Sequence, residues 1–263
     1  MFDNGAVIAT VEIEDIMNLE GLNLHIHSDT FGINEDSYGL FDLDVQTQSI
    51  YYPLNIELAM QDGIQREISG KGTYKLPIKP KRKQIKLSNN VINQPNHIAM
   101  DFVVDDLPME MLEYWIGAGV SNTIGNIDAG FSLNGPVNKM ILNGSAFITD
   151  AATTIDYLNV RYNFDNQKVA LKEDIWEVVD GVIYDQDGNS AKVQGGIRHE
   201  YLRNLSLDAL ITTDKLIVLD TDSETDELYY GYANASGRAS FTGTFLRPEF
   251  YITGASLAGT EIN

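Results

Sequence analysis

The sequence predicts an all-β protein, an elongated and curled β-sheet with one short helix near residues 107–116. Apolar and polar side chains alternate with period two through most of the chain, as strands with one dry and one wet face require. Gly, Pro, Asn and Asp clusters punctuate these runs. The runs number on the order of fifteen or more, and at roughly 4.8 Å per strand one sheet of that width should curl, fold over on itself or split. At 263 residues the chain can form one large all-β domain or two smaller ones.

Val7, Ala9, Val11 and Ile13 alternate with Thr10, Glu12 and Glu14, and Leu22, Leu24 and Ile26 alternate with Asn23, His25 and His27. Leu54, Ile56, Leu58 and Met60 lead through Gln61-Asp62-Gly63 into Ile64, Arg66 and Ile68, the pattern of a hairpin. From Lys75 to Lys86 lie six of the eighteen basic residues, interleaved with Pro77 and Pro80, which cannot donate to a central ladder. This is expected as a solvated linker or edge, with a domain boundary over 75–90 separating an N-terminal β segment, 1–90, from a second domain, 91–263. A sharper reading makes it a basic contact for anionic head groups at a membrane surface.

Ile98, Met100, Phe102 and Val104 resume the strand pattern before the period changes. Asp105 and Asp106 stand at an N-cap and Pro108 fits a first turn. Leu107, Met111, Tyr114 and Trp115 then fall on one side at helical spacing, with Gly117 ending the run. Strand patterns return at Ile127–Leu133, Ile155–Phe164, Val169–Leu171 and Val182–Tyr184. Asp220, Asp222, Glu224, Asp226 and Glu227 read as a solvated loop. The last clear strand sets Ala235, Ala239, Phe241 and Phe245 against Arg238, Ser240, Thr242 and Thr244.

The stretch Asn189–His199 and the run after it are the clearest pair. Ala191, Val193 and Ile197 alternate with Lys192, Gln194 and Arg198; Leu205, Leu207, Ala209 and Ile211 alternate with Ser206, Asp208 and Thr212. Gly195 and Gly196 interrupt the first apolar stripe, which predicts a bulge, a bend or room for something to approach the backbone.

A formal charge of −20, from 38 acidic against 18 basic side chains, repels phosphate backbones and argues against nucleic acid as a partner. The absence of cysteine excludes disulfides and thiolate metal sites but leaves the compartment open. No run has the apolar length of a membrane helix, and nothing after Met1 resembles a signal peptide, so the start is expected to be an artificial one.

Asp185-x-Asp187-Gly188-Asn189 invites a calcium reading, but the twelfth position from Asp185 is Gly196, not a bidentate Glu, and a tight turn is favoured. His25 and His27 share a strand face without a third ligand nearby in sequence, which favours polar-face histidines over a metal. There is no Gly-x-Ser-x-Gly elbow, no cysteine nucleophile and no phosphate-binding loop, and in so acidic a chain no carboxylate pair stands out. The expectation is a protein that is not an enzyme, with no catalytic, cofactor or metal residues.

Several blocks together resemble the TamB family, the translocation and assembly module proteins of Gram-negative envelopes, in a Bacteroidetes-type version. They are Met109–Gly117, Asp156–Tyr162, Asp185–Asn189, Gly195–His199, Tyr229–Ala233 with Ser236-Gly237, and the closing Gly259-Thr260-x-Ile262. They cover roughly residues 100 to 263, while the first ninety match in strand pattern alone. The resemblance implies a periplasmic sheet folded into a trough, taco- or clam-like, with an apolar lining. It further implies an inner-membrane anchor helix, missing from this sequence, an outer-membrane partner of the BamA barrel type, and a role in moving phospholipid outward or assisting outer-membrane protein assembly.

On this reading Ala191, Val193, Ile197, Leu205, Leu207, Ala209, Ile211, Ala239, Phe241 and Phe245 line a surface for phospholipid acyl chains. Two other classes remain: a filled sandwich or solenoid that binds a barrel protein by strand addition, and a secreted carbohydrate-active β-protein with clustered carboxylates. An outer-membrane barrel would need an apolar outward band with aromatic girdles, which mixed faces and a charge of −20 disfavour.

Overall fold

The structure, a computed structural model, describes residues 7–17, 20–33, 36–61, 67–78, 96–110, 113, 119–164, 166–222, 230–244 and 247–262. Among these, sixteen strands follow in chain order. They are β1 (Val7–Asp15), β2 (Glu20–Ile33), β3 (Asp36–Ser49), β4 (Leu54–Gln61), β5 (Glu67–Lys75), β6 (His97–Pro108), β7 (Val120–Pro136) and β8 (Ile141–Ile155), then β9 (Val160–Asn163), β10 (Gln167–Leu171), β11 (Ile175–Tyr184), β12 (Ser190–Glu200), β13 (Arg203–Thr221), β14 (Gly231–Thr244), β15 (Arg247–Ser256) and β16 (Glu261–Ile262). Neighbours hydrogen-bond in sequence order from β1 to β8 and from β10 to β15, the meander that short turns between antiparallel strands produce. β16 adds to β14. β9 pairs with both β8 and β11, so β8, β10, β11 and β9 close a ring of four. The all-β expectation holds.

Two compact units emerge: Met1–Leu107 with Asp128–Gly144, and Pro108–Ile127 with Ser145–Asn263. In the first, β4 and β5 pair antiparallel as expected, with Gln61 opposite Glu67, while Asp62 and Gly63 of the expected turn and Ile64 and Arg66 of the expected second run lie outside the described residues. The basic stretch leaves the end of β5, and β5 pairs directly with β6, Lys75 opposite His97. Lys75 itself is buried, its ammonium bonded to the Tyr51 carbonyl, and burial lowers its pKa. Residues 79–95, with the remaining basic residues, lie outside the described residues.

The expected helix over 107–116 is not found where its start was read. Asp105, Asp106, Leu107 and Pro108 end β6, and proline is tolerated at such a terminus. Asp106 takes a left-handed φ of 55° and donates its N–H to the Asp128 carboxylate at 2.9 Å. A short acid suits a left-handed residue as well as a helix cap, so the two signals are degenerate. Met109 and Glu110 form a turn, Glu113 has helical backbone, and 111–112 and 114–118 lie outside the described residues.

The core of the second unit gathers Val160, Tyr162, Ala191, Leu216 and Ile217, with Ile155, Leu158, Ile183, Ile211, Val218 and Tyr232 packed around them. Asp185 lies beside this core, 2% exposed. Its carboxylate accepts from the Asp187 and Asn189 backbone N–H groups, the Asn189 side-chain amide and the Ile217 N–H. The Tyr162 hydroxyl donates to the Ile217 carbonyl at 2.7 Å, so one buried residue is held at both backbone groups. Asp185–Asn189 is thus the tight turn the sequence favoured, its acid turned inward onto backbone donors.

Candidate functional site

In an antiparallel sheet, residues in direct register send their side chains to the same face. The predicted lining residues obey this. Val178, Gly195, Ala209, Phe241 and Phe250 stand opposite one another across β11 to β15, and Gly181, Val193, Ile211, Ala239 and Ile252 form the row beside them. A third row runs Trp176, Ile197, Leu207 and Gly243. Val193, Ile197, Leu207, Ala209, Ile211, Ala239 and Phe241 are all half-buried, neither sealed nor open. Phe241 meets Phe250 edge-on with ring centroids 5.3 Å apart.

Three predicted residues sit differently. Ala191 is 2% exposed and packs inside the core, away from any accessible surface. Leu205 is exposed on the same parity of β13 as Leu207. Phe245 lies outside the described residues. Sequence reasoning missed Phe250 and Ile252 of β15, exposed by 49% and 72%, whose alternation is short and follows Pro248.

The glycine pair interrupts the side-chain stripe but not the pairing. Gly195 and Gly196 keep register with Val178 and Glu177 on one side and with Ala209 and Asp208 on the other. The register shift lies across from them, in β11 between Val178 and Gly181, where Asp180 takes a left-handed φ of 53°. What approaches the glycines is backbone: a Cβ at Gly196 would fall on the Trp176 carbonyl oxygen, and one at Gly195 on that of Asp208.

The same face-by-face logic operates in the first unit, where the sequence assigned no lining. Ala9, Ile26, Leu43, Leu58, Gly70 and Phe102 form one continuous row across β1 to β6, and Val11, Leu24, Val45, Ile56, Gly72 and Met100 the next. Ile26, Leu43, Leu58 and Phe102 are half-buried; Val45 and Met100 are buried; Val11 is exposed. The opposite face carries Thr10, His25, Asp44, Glu57, Lys71 and Asp101 in one row. Each unit therefore has an apolar face extending over at least five paired strands.

No family model, no curated protein and no solved structure matches this chain.

Proposed function

We propose that the chain shields phospholipid acyl chains from water along the apolar faces of its sheet, in the periplasm, as a TamB-like protein working with an outer-membrane barrel of the BamA type. The observation that supports this is the pairing of apolar residues strand after strand while most of them stay half-buried. A filled sandwich would drive such residues to near-complete burial between facing sheets about 10 Å apart. Exposing an acyl chain of about fifteen methylenes costs on the order of 12 kcal/mol, at roughly 0.8 kcal/mol per methylene. An uninterrupted apolar row removes most of that cost at each point along it.

The test replaces Ala209, at the centre of the row from Val178 to Phe250, with arginine. A photoactivatable phospholipid should crosslink to the wild-type chain, and mass spectrometry should find lipid retained on it. Ala209→Arg should cut crosslinking on the order of tenfold, the effect of about 1.4 kcal/mol, with the β-sheet circular dichroism unchanged. Wild-type crosslinking in a folded Ala209→Arg chain would refute the lining.

A second reading, assembly by strand addition, draws on the two strands that end the sheet order. β1 exposes Val7 and Val11 and β15 exposes Tyr251 and Ile252, and open apolar edges pair readily with another chain. It predicts that proline on the opposite face of β15, at Thr253, abolishes barrel binding while lipid crosslinking to the row from Val178 to Phe241 persists.

A further inference from the structure

The polar face of the first unit brings together two histidines and three aspartates that are scattered along the sequence. Strand pairing sets His25 opposite Asp44 and His27 opposite Asp42. One donor atom each from His25, His27 and Asp42 lies within 4.8 Å of the others. His25 Nε2 is 3.9 Å from Asp42 Oδ1, and His27 Nδ1 is 2.7 Å from the same oxygen. The two rings are near-parallel, 14° apart, with centroids separated by 6.2 Å.

The remaining ring nitrogens are occupied in a particular way. His25 Nδ1 lies 3.0 Å from Asp44 Oδ1, and His27 Nε2 lies 2.9 Å from Asp29 Oδ1. A metal-bound imidazole coordinates through one nitrogen and donates the other N–H to a carboxylate, which fixes its tautomer and ring orientation. Here both imidazoles have such a carboxylate on one nitrogen while the other turns toward Asp42. We propose that His25, His27 and Asp42 bind a zinc-class divalent transition-metal ion, with Asp44 and Asp29 orienting the two imidazoles.

Tetrahedral ligands at about 2.0–2.1 Å from an ion stand roughly 3.3 Å apart. The observed separations, 2.7 and 3.9 Å to Asp42 and all within 4.8 Å, differ from this by on the order of 1 Å, a distance within side-chain reach. Two imidazoles select zinc, copper or nickel over magnesium and calcium, which prefer oxygen alone. Three protein ligands leave a fourth position for water or an anion, and the ion would tie β2 to β3. The flanking residues add no fourth ligand: Ile8 and Thr10 stand opposite on β1, Ala59 follows Asp42 on β4, and Glu57 beyond Asp44 is paired with Lys71 at 2.6 Å. A plain set of His–Asp ion pairs is the competing account.

The tag-free chain titrated calorimetrically with Zn²⁺ alone should bind one ion per chain. His25→Ala and His27→Ala should each abolish that site, and Asp44→Asn should weaken it about 10- to 100-fold. Asp42→Asn, nearly isosteric, serves if a histidine variant fails to fold. With only four histidines in the chain, imidazole ¹⁵N NMR resolves the site directly: His25 and His27 should shift on adding Zn²⁺ while His97 and His199 stay fixed. Absence of binding, affinity unchanged in these variants, or displacement of Zn²⁺ by equimolar Mg²⁺ would overturn the assignment and leave ion pairing.

Discussion

At Asp185 two opposing effects act on one carboxyl group. Burial pushes its pKa up, but the Asn189 side chain and the backbone N–H groups of Ile217, Asn189 and Asp187 outweigh that and hold it below the ordinary carboxylate value. A group whose folded pKa is depressed contributes stability above its unfolded value, about 3.9, and that stability is lost as pH falls through the folded value. Asp185→Asn keeps the shape but presents an amide to backbone donors, so it should cost on the order of 3 kcal/mol at neutral pH. Urea midpoints at pH 7 and pH 3.5 check both statements: the wild type should lose more stability between the two than Asp185→Asn does. Equal losses would mean that some other acid controls the acid limb. The Asp185–Asn189 turn was legible in the sequence; that its acid reaches Ile217 was not, because that partner lies 32 residues away and is set by packing.

Among the elements, the glycine pair of β12 gives the sharpest contrast. Gly196 has the Trp176 carbonyl where a side chain would begin, whereas Gly188, in the turn before it, has φ of +80° and open space around it. Gly196→Ala must therefore displace β11 from β12, while Gly188→Ala meets conformational strain alone. The first should cost about 1–3 kcal/mol or more by overpacking, the second about 1 kcal/mol, read from urea denaturation at constant slope. The strands themselves were legible because period two survives any tertiary context that buries one face, as Val193 and Ile197 or Leu24 and Ile26 do. The start of the expected helix was misread because Asp106 and Pro108 suit a strand end equally well. The glycine pair signalled a bulge, but that it sits across from them at Val178–Gly181, and that His25 and His27 group with Asp42, were hidden for one common reason: both are properties of pairing between strands, and register is written in no single stretch of sequence.

For the whole molecule, an apolar face has to work alongside a formal charge of −20. Anionic bilayers carry a negative surface potential that falls off within a Debye length, about 10 Å at 0.1 M salt. A chain of this charge is repelled from such a surface, so on the proposed lipid-shielding function lipid should reach its half-buried rows as single molecules rather than through docking on the bilayer. Six of the eighteen basic residues fall between Lys75 and Lys86, which concentrates positive charge locally without altering the sign of the total. Transfer of a fluorescent phospholipid from vesicles to the chain should then be slower from vesicles with 30 mol% anionic lipid than from neutral ones. Raising salt from about 0.05 to 0.5 M should remove most of the difference, because screening acts on the repulsion and leaves hydrophobic contact intact. Charge-reversing substitutions within 75–86 distinguish the remaining possibility. If they abolish transfer from anionic vesicles alone, the basic stretch is a docking contact; if they leave the vesicle dependence unchanged, net repulsion governs how lipid arrives.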